Sequence, residues 1–474
     1  MMSVGRSVLQ KFSGLLAVVL ITCVGTSCQT KSTKATPVDP GVRGGPPGAG
    51  GPLPGLTADE TAFFQDGQGR FAETEAVQGG SNNGLGPRFN SNQCLSCHAQ
   101  PASGGTSPAK NPLLDVAHLN GAKNTVPWFI APNGPVREAR FKKSNGVPDG
   151  GVHDIFVITG RSDASGCNIA QPDFTPAGNP LTGQGGNPNI IFRIPTPVFG
   201  AGLIEAIPDS AILANMQANA TEKRAMGISG HPNAHLGGNV NRNANDGTIT
   251  RFGWKAQNKS LLLFASEAYN VEMGISNELF PQERDETSSC LFIPTPNDTL
   301  NFTTTSTGAT NPAVISDIEG FANFMRMLAP PTPALSTPST EKGRANFGVI
   351  GCIQCHTPSF TTGPKIASGS STSPSAALSN QTVNLFSDLL VHHMGKGLAD
   401  GITQGAAGPD EFRTAPLWGV GQRVFFLHDG RTTNLVEAVK AHKSKGSEAN
   451  RVIERFNRLS TKEQQEIIDF LRSL

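Results

Sequence analysis

Apolar residues recur with the period of an α-helix in only a few segments of this chain, and long irregular stretches separate those segments. The predicted helices are one capped by Thr57 that runs through Phe63 and Phe64, residues 260–273, 313–328, 340–348 and 433–444, and a closing helix capped by Ser460 or Thr461. Between residues 193 and 208 short apolar runs alternate with prolines, which predicts strand or turn structure. The pattern indicates a mainly α, loop-rich fold.

The first 28 residues have the pattern of an export signal. Arg6 and Lys11 precede the apolar run 15–24, which is too short to span a bilayer, and small residues follow it. Cys28 stands directly after the expected cleavage site and resembles the lipidated cysteine of a lipoprotein, with ordinary signal-peptidase cleavage as the alternative. We therefore expect a periplasmic protein, whose membrane attachment would be limited to a lipid anchor at Cys28.

Proline and glycine divide the remaining chain into regions. Residues 29–56 are rich in Pro, Gly, Ser and Thr and have no apolar period, which predicts a flexible linker. Four prolines fall between residues 329 and 339, where we expect the boundary between two domains. The predicted domains are residues 57–335, which carry insertions, and residues 336–474.

The composition narrows the classes of function. Charged residues make up 16% of the chain and the formal net charge is +1, so there is no electrostatic basis for binding nucleic acid. The 54 glycines and 35 prolines favour irregular structure, which needs something other than long helices to organise a core. A buried cofactor would serve that purpose. Motifs for a phosphate loop, a hydrolytic triad or a nucleotide site do not occur.

The motif Cys-x-x-Cys-His occurs twice in the chain. Its copies are Cys94-Leu95-Ser96-Cys97-His98 and Cys352-Ile353-Gln354-Cys355-His356. Cysteines at this spacing on a helical turn can bond to the two vinyl groups of one porphyrin, and the histidine then binds iron from the proximal side. A zinc site is the competing interpretation, but each pair ends in histidine and the pairs lie far apart. We predict two covalently bound haem c groups, in two cytochrome c-like haem domains.

Two further cysteines, Cys167 and Cys290, belong to neither motif. In an oxidising compartment they could form a disulfide bond, and two free thiols are the alternative. The sequence does not give their separation in space.

Several side chains are candidates for the sixth iron ligand or for proton transfer. His442 shares an apolar helical face with Leu435 and Val439, so it is either a ligand or a satisfied core residue. Met394 is a second candidate ligand, whereas His428 is predicted to begin a turn.

Glu272 ends the apolar face of the helix predicted at 260–273, a face that also carries Leu261, Ala265 and Ala268. If this carboxyl group is buried, its pKa rises and it can relay protons near neutral pH. A solvated carboxylate at a helix end is the alternative.

Several segments resemble those of a known family, in the right order around the two haem motifs. These are residues 193–209, 251–256, 271–275, 394–400, 414–421 and 427–431. The chain, from about residue 57 onward, resembles the di-haem oxidoreductases described as peroxidases. That family is similar, more distantly, to bacterial di-haem cytochrome c peroxidases and to the enzyme that matures methylamine dehydrogenase.

The resemblance implies a role for individual residues. The haem bound by His98 would react with peroxide, and Glu272 would match the distal acid–base glutamate of those peroxidases. Trp254 would match the tryptophan that bridges the two haems for electron transfer. The haem bound by His356 would receive electrons, and His442 stands where those peroxidases place the methionine that is the sixth ligand. Ligation by two histidines would lower the reduction potential.

The chain also departs from the resemblance. The distal histidine of the peroxidases has no clear counterpart at the first haem, because the motif is absent around His118 and His153. Arg423 and Phe425 stand where calcium ligands would be, so the resemblance gives only weak support for bound calcium. The stretch between His98 and residue 193 is an insertion that is not peroxidase-like.

These observations predict one preferred function and leave two alternatives. The preferred function is reduction of a peroxide such as hydrogen peroxide, with electrons from a small periplasmic donor, either a cytochrome c or a cupredoxin. Electron flow in the other direction would make the protein an oxidase of a sulfur compound or other small donor. The non-enzymatic alternative is a di-haem electron-transfer protein whose two irons are both six-coordinate.

Overall fold

The computed structural model describes most of the chain from residue 36 onward. The ranges it leaves out are 1–35, 145–146, 149–151, 173, 175–177, 180–183, 186–188, 235–248, 259, 302–313 and 370–372. The predicted signal, with Cys28, and the start of the predicted linker therefore lie outside the described residues. Within the described ranges, every helix is too short or too polar to cross a membrane.

Helices supply most of the regular structure, and the fold is mainly α and loop-rich. The helices of the described part are α1 (Ala58–Phe71), α2 (Cys94–Cys97), α3 (Leu113–Ala117), α4 (Ala201–Glu205), α5 (Asp209–Gln217), α6 (Ala220–Met226), α7 (Leu261–Met273), α8 (Asp317–Met327), α9 (Pro338–Ile350), α10 (Leu435–Ala441), α11 (Asn450–Arg458) and α12 (Thr461–Ser473). A 3₁₀ turn at Cys352–Gln354 carries the second Cys-x-x-Cys-His motif.

The strands are short and pair antiparallel. They are β1 (Arg88–Phe89), β2 (Glu138–Phe141), β3 (Lys143–Ser144), β4 (Val147–Pro148), β5 (Val152–His153), β6 (Phe156–Val157), β7 (Gly178–Asn179), β8 (Gln184–Gly185), β9 (Ile190–Arg193), β10 (Asn233–Ala234), β11 (Ile249–Thr250), β12 (Phe360–Thr361), β13 (Thr382–Val383), β14 (Val391–His393) and β15 (Glu411–Arg413). The largest sheet in the described part has the order β5-β2-β9, and Glu138 pairs with Arg193 across it.

Most of the predicted helices are present, and their caps explain their starts. Thr57 and Glu60 form a reciprocal capping box at α1, and Ser460 and Glu463 form another at α12. The helix predicted at 313–328 begins later, after the N-cap residue Ser316.

Two expectations need correction. The segment 193–208 contains helix α4 in addition to irregular structure, because its apolar residues pack inward around the turn that Gly200 makes in a left-handed conformation. The helix predicted at 433–444 ends at Ala441, so His442 is its C-terminal cap residue.

Close helix packing fixes the elements around the two motifs. A Cβ atom at Gly67 of α1 would collide with the backbone oxygen of Gly320 in α8, so these helices cross at a distance that only glycine permits. Gly343 of α9 lies equally close to the backbone of Glu466 in α12. Each pair includes the long helix that precedes one Cys-x-x-Cys-His motif in the sequence.

Buried apolar side chains form two main cores. The first includes side chains of α1, α7 and α8 and packs against Cys94 and Leu95. The second includes side chains of α9, α10, α11 and α12 and packs against Cys352 and Cys355. Each motif therefore has a core of its own, while the boundary between two haem domains stays a prediction.

The described part of the predicted linker contacts the C-terminal helices. Asp39 accepts two hydrogen bonds from Arg472 of α12, both at 2.7 Å, and a third from the backbone of Leu435. Both charged side chains are 5% exposed. The nitrogen of Arg43 also donates to the oxygen of Gly421 at 2.8 Å. Composition alone did not predict these contacts, because a single buried ion pair leaves no periodic signal.

Cys167 and Cys290 form a disulfide bond that spans 123 positions of the sequence. This confirms the paired interpretation of the two cysteines. The bond connects the insertion after the first motif to the segment that follows α7.

We predict that Asp39→Asn lowers the free energy of unfolding by about 3 kcal/mol, because it leaves the buried guanidinium of Arg472 without its charged partner. Chemical denaturation followed by circular dichroism measures this change. Asp115→Asn, at an exposed position, is the matched control and should change stability by less than about 0.5 kcal/mol. Equal stability of the two variants would show that the Asp39–Arg472 contact does not hold the segment.

Candidate functional site

The first Cys-x-x-Cys-His motif forms one wall of a cavity. Cys94 and Cys97 belong to the single turn of α2, and the backbone nitrogen of His98 closes that turn on the oxygen of Cys94 at 3.0 Å. His98 packs edge-on against Phe71, at the end of α1, with ring centroids 5.9 Å apart. Both cysteines and the histidine therefore face one space, as attachment to one porphyrin requires.

A backbone carbonyl fixes the tautomer of His98. Its Nδ1 lies 3.0 Å from the oxygen of Gly105, and because a carbonyl only accepts, Nδ1 carries the proton. Nε2 then carries the lone pair, which is the usual arrangement of a metal-ligating histidine, and the backbone of Thr196 also interacts with the ring. Burial lowers the pKa of His98 to about 4, so the ring is neutral at physiological pH.

The cavity itself has a volume of about 160 Å³, many times what one water molecule needs. Glu272 and Trp254, which come from separate segments, line it together with His98. Among the described residues that line it, His98 is the only histidine. His118 is exposed and does not line it, and the side chain of His153 lies outside what the structure describes.

Glu272 has an environment that favours its protonated form. Burial is the largest influence, and the charges of Glu138 and Glu267 add to it, so that the pKa of Glu272 rises to about 8. Glu138 and Glu267 line the same cavity. The group therefore carries a proton at neutral pH and titrates only slightly above it, which suits a proton donor and acceptor.

The second motif forms the wall of another cavity, of about 210 Å³. Cys352, Cys355, His356 and His442 line it together. Nδ1 of His356 donates to the oxygen of Phe386 at 2.9 Å, and Nδ1 of His442 donates to the oxygen of Ala438 at 2.8 Å. Both rings therefore keep Nε2 free, and burial lowers the pKa of each histidine. Two neutral imidazoles on one cavity fit a group that needs two axial nitrogen ligands.

Trp254 lines both cavities. Its Nε1 donates to the oxygen of Ile194 at 2.9 Å, and its ring lies edge-on to His428 with centroids 6.4 Å apart. The tryptophan ring is thus held where it lines both cavities, and its role as a bridge for electrons stays a prediction.

Sequence reasoning underestimated His428. It is buried, lines the second cavity and stacks on Phe412 with ring centroids 4.4 Å apart. Burial lowers the pKa of His428 to about 4. Met394, the other candidate ligand, also lines this cavity, so the structure brings it near His442 without deciding between them.

A buried ion network beside Cys355 had no sequence signal. His392 lies between Asp388, at 2.9 Å, and Glu448, at 2.7 Å. Burial opposes a charge on His392, but Cys355 and the carboxylates outweigh it and raise the pKa of the ring well above its ordinary value. Cys355, Asp388 and His392 could in principle hold a metal ion, yet both ring nitrogens already donate to carboxylates.

The residues present fit two haem groups. Each cavity has two cysteine thiols and a neutral histidine whose free nitrogen is oriented by a backbone hydrogen bond. The two cavities differ in their other histidines. His98 is the only histidine among the described residues that line the first cavity, whereas His392, His428 and His442 line the second together with His356. The roles of the individual residues stay predictions.

We predict that His392→Gln lowers the free energy of unfolding by about 3–5 kcal/mol near pH 6, because two buried carboxylates lose their shared cation. The pKa of Glu448 is about 2 in the folded protein, although burial opposes this value, so its pairing stabilises above pH 4.5 and is lost as the pH falls. His392 stabilises below about pH 6.5 and loses its effect as the pH rises through its raised pKa.

The loss in free energy of unfolding caused by His392→Gln should therefore be largest between about pH 4.5 and pH 6.5 and should shrink at pH 3–4. Chemical denaturation at several pH values measures this dependence. The control is His393→Gln, since the His393 side chain is 49% exposed and its pair with Asp410 should contribute less than about 1 kcal/mol. A pH-independent loss for His392→Gln would contradict the ionic network.

Comparison with solved structures gives only weak similarities. The diheme peroxidase BthA of Burkholderia thailandensis is 16% identical with a TM-score of 0.27, over 61% of this chain and 88% of that chain. A MauG-like protein associated with microbial copper homeostasis is 13% identical with a TM-score of 0.25, over 65% and 95% of the two chains. The hydrazine synthase of Kuenenia stuttgartiensis is 17% identical with a TM-score of 0.22, over 33% of this chain and 55% of that one. No curated protein sequence matches the chain.

A family comparison is more informative. The sequence model described as "Di-haem oxidoreductase, putative peroxidase" matches residues 187–474. This range includes Trp254, Glu272 and the second Cys-x-x-Cys-His motif, whereas the first motif lies before it. Since the match covers more than half of the chain, the protein belongs to this family of di-haem oxidoreductases.

Proposed function

We propose that the protein carries two covalently attached haem c groups, one at Cys94 and Cys97 and one at Cys352 and Cys355. Membership of a di-haem family supports two haems, and the two thiols beside each neutral histidine support covalent attachment. Bound iron would supply redox chemistry and, at an open axial position, a place for a small molecule. The disulfide between Cys167 and Cys290 favours an oxidising compartment, in keeping with the proposed export to the periplasm.

We propose further that the protein reduces a peroxide, such as hydrogen peroxide, in the first cavity. The observation that carries this proposal is the position of Glu272, whose carboxyl group lines the same cavity as His98. Burial and the neighbouring carboxylates raise the pKa of Glu272 to about 8, which suits a proton donor. Reduction of hydrogen peroxide to two water molecules consumes two electrons, which the redox protein partner would supply, and two protons. Glu272, which carries a proton at neutral pH, would donate one of these protons to the oxygen that leaves as water when the O–O bond breaks, and would regain a proton from solvent. Peroxide reduction would require that an axial position on the iron is open to substrate, although Tyr269, Met273 and Met325 also line this cavity.

The second cavity is proposed as the entry point for electrons. His356 and His442 would both bind its iron, and the constant coordination would keep reorganisation small during electron transfer. Trp254, which lines both cavities, would carry electrons from this cavity to the first. The donor is a small periplasmic redox protein, a cytochrome c or a cupredoxin. Exposed Lys440 and Lys445, close to His442, would favour a donor with an acidic surface.

We predict that Glu272→Gln lowers the rate of peroxide reduction by about 10²–10⁴-fold, because the amide cannot exchange a proton. Steady-state turnover with a reduced cytochrome donor measures the rate, and haem content and visible spectrum should stay unchanged. The parent should show an ionisation near pH 8 in its rate profile, and Glu272→Gln should abolish it.

Glu138→Gln is the electrostatic control for this experiment. It keeps the Glu272 carboxyl group but removes a nearby negative charge, so the ionisation should move to lower pH. Full activity of Glu272→Gln with an unchanged pH profile would remove Glu272 from the reaction.

We predict that His442→Met raises the midpoint potential of the haem attached at Cys352 and Cys355, because a thioether ligand favours the reduced iron more than imidazole does. Potentiometric titration followed by visible spectroscopy measures the shift. The control is Met394→Leu, which alters the other candidate ligand in the same cavity and should leave the potential unchanged. A shift in Met394→Leu alone would assign the ligand to Met394 instead.

A further inference from the structure

Two arginines stand together beside the second cavity. Arg413, in β15, and Arg423 both line this cavity, and both also line a small neighbouring cavity that Trp254 shares. The backbone nitrogen of Arg413 donates to the oxygen of Trp254 at 2.9 Å, which connects Arg413 directly to the residue that lines both haem cavities. Arg423 is 8% exposed.

The guanidinium groups lack an anionic partner within the described part of the chain. Nε and Nη2 of Arg423 are enclosed and have no hydrogen-bond acceptor. Arg413 donates from Nε to the oxygen of Gly253 at 3.1 Å, which is a neutral acceptor. Neither side chain forms an ion pair with any described carboxylate.

Two other buried arginines of this protein form ion pairs with a carboxylate. Arg193 contacts Asp400 at 2.7 Å, and Arg472 contacts Asp39 at the same distance. A buried cation without a partner is strongly destabilising, and two neighbouring cations repel each other in addition. Burial lowers the pKa of Arg413 and of Arg423 to about 10, yet both remain charged at neutral pH. The protein therefore leaves two fixed positive charges facing a space that protein atoms do not fill.

We propose that Arg413 and Arg423 form a carboxylate-binding site that holds the propionate groups of the haem attached at Cys352 and Cys355. The inference rests on the proposed haem attachment. A guanidinium presents two parallel N–H groups that match the two oxygens of a carboxylate, so a pair of arginines suits the two carboxylates that a haem carries. Both arginines line the same cavity as the two cysteines and His356, which places them at the wall of the space that this haem would occupy.

The arginine pair also bears on whether the second haem site requires a calcium ion. Two guanidinium groups would balance the charge of the two propionates, so a divalent cation is not needed beside them. Arg423 and the buried Phe425 stand near the positions that the family resemblance gives to calcium ligands. The protein should therefore bind the second haem without calcium, and a chelator should leave its spectrum unchanged.

The test uses Arg423→Gln and Arg413→Gln in the full haem-containing protein, with resonance Raman spectroscopy as the first readout. The propionate bending modes report hydrogen bonding to these carboxylates, and each substitution should shift a mode of one haem. The midpoint potential of that haem should fall, since a cation near the iron favours the reduced state. In Arg423→Lys the midpoint potential should change little, because lysine retains the positive charge. The Raman mode should still shift, because lysine lacks the two parallel N–H groups of the guanidinium.

The control is Arg161→Gln, which removes another buried guanidinium, paired with Asp163 and absent from the lining of both haem cavities. It should leave the propionate modes and both potentials unchanged, whatever its effect on stability. Haem content, measured as the pyridine haemochrome, separates the two proposals. If the parent protein contains no covalently bound haem, the proposed attachment itself is refuted and not only the arginine site.

Unchanged propionate modes in both glutamine variants that retain haem would overturn the proposed arginine site. A second contrary result concerns diffusible anions. If added acetate perturbs the parent spectrum, and Arg423→Gln abolishes that effect without shifting a propionate mode, the arginines bind a free carboxylate and not the haem.

Discussion

Each cavity has a neutral histidine at its edge whose Nδ1 forms a hydrogen bond to a backbone oxygen, and the rest of the structure depends on this arrangement. The oxygens of Gly105 and Phe386 accept from Nδ1 of His98 and His356, and burial keeps both rings uncharged. Each ring also packs against a phenylalanine near the end of the preceding long helix, Phe71 in α1 and Phe347 in α9. The close packing of α1 with α8 and of α9 with α12 fixes the helices that carry these phenylalanines. Loops with little regular structure complete the cavities.

The two cavities share this plan and differ in the groups that accompany it. In the first, burial and the charges of Glu138 and Glu267 raise the pKa of Glu272, although three arginines also line this cavity. In the second, His442 lines the cavity together with His356, and Arg413 and Arg423 form no ion pair with a described carboxylate. Trp254 lines both cavities. An acid–base group in one cavity and two histidines in the other suit the proposed division, in which electrons arrive at one site and bond cleavage occurs at the other.

Part of this arrangement could be predicted from the sequence. The attachment motifs, the helix that carries Glu272 and the capped terminal helix follow from local spacing, and the structure brings Glu272 to the cavity of His98. Contacts between distant residues could not be predicted, because a single partner carries no period. The pairing of Asp39 with Arg472 and the placement of His392 between two carboxylates are of this kind. His428 was underestimated for the same reason, since its burial comes from Phe412 and Trp254 and not from its own turn.

The central claim is that the two haem sites are unequal, one six-coordinate and one open to peroxide. The visible absorption and electron paramagnetic resonance spectra of the purified haem-containing protein, oxidised and half-reduced, with and without hydrogen peroxide, test it most directly. The account predicts a low-spin signal from the site of His356 and His442, and a high-spin signal from the site of His98 in at least one state, which peroxide consumes. Two low-spin signals that persist in both states and do not respond to peroxide would contradict it and leave a two-haem electron carrier.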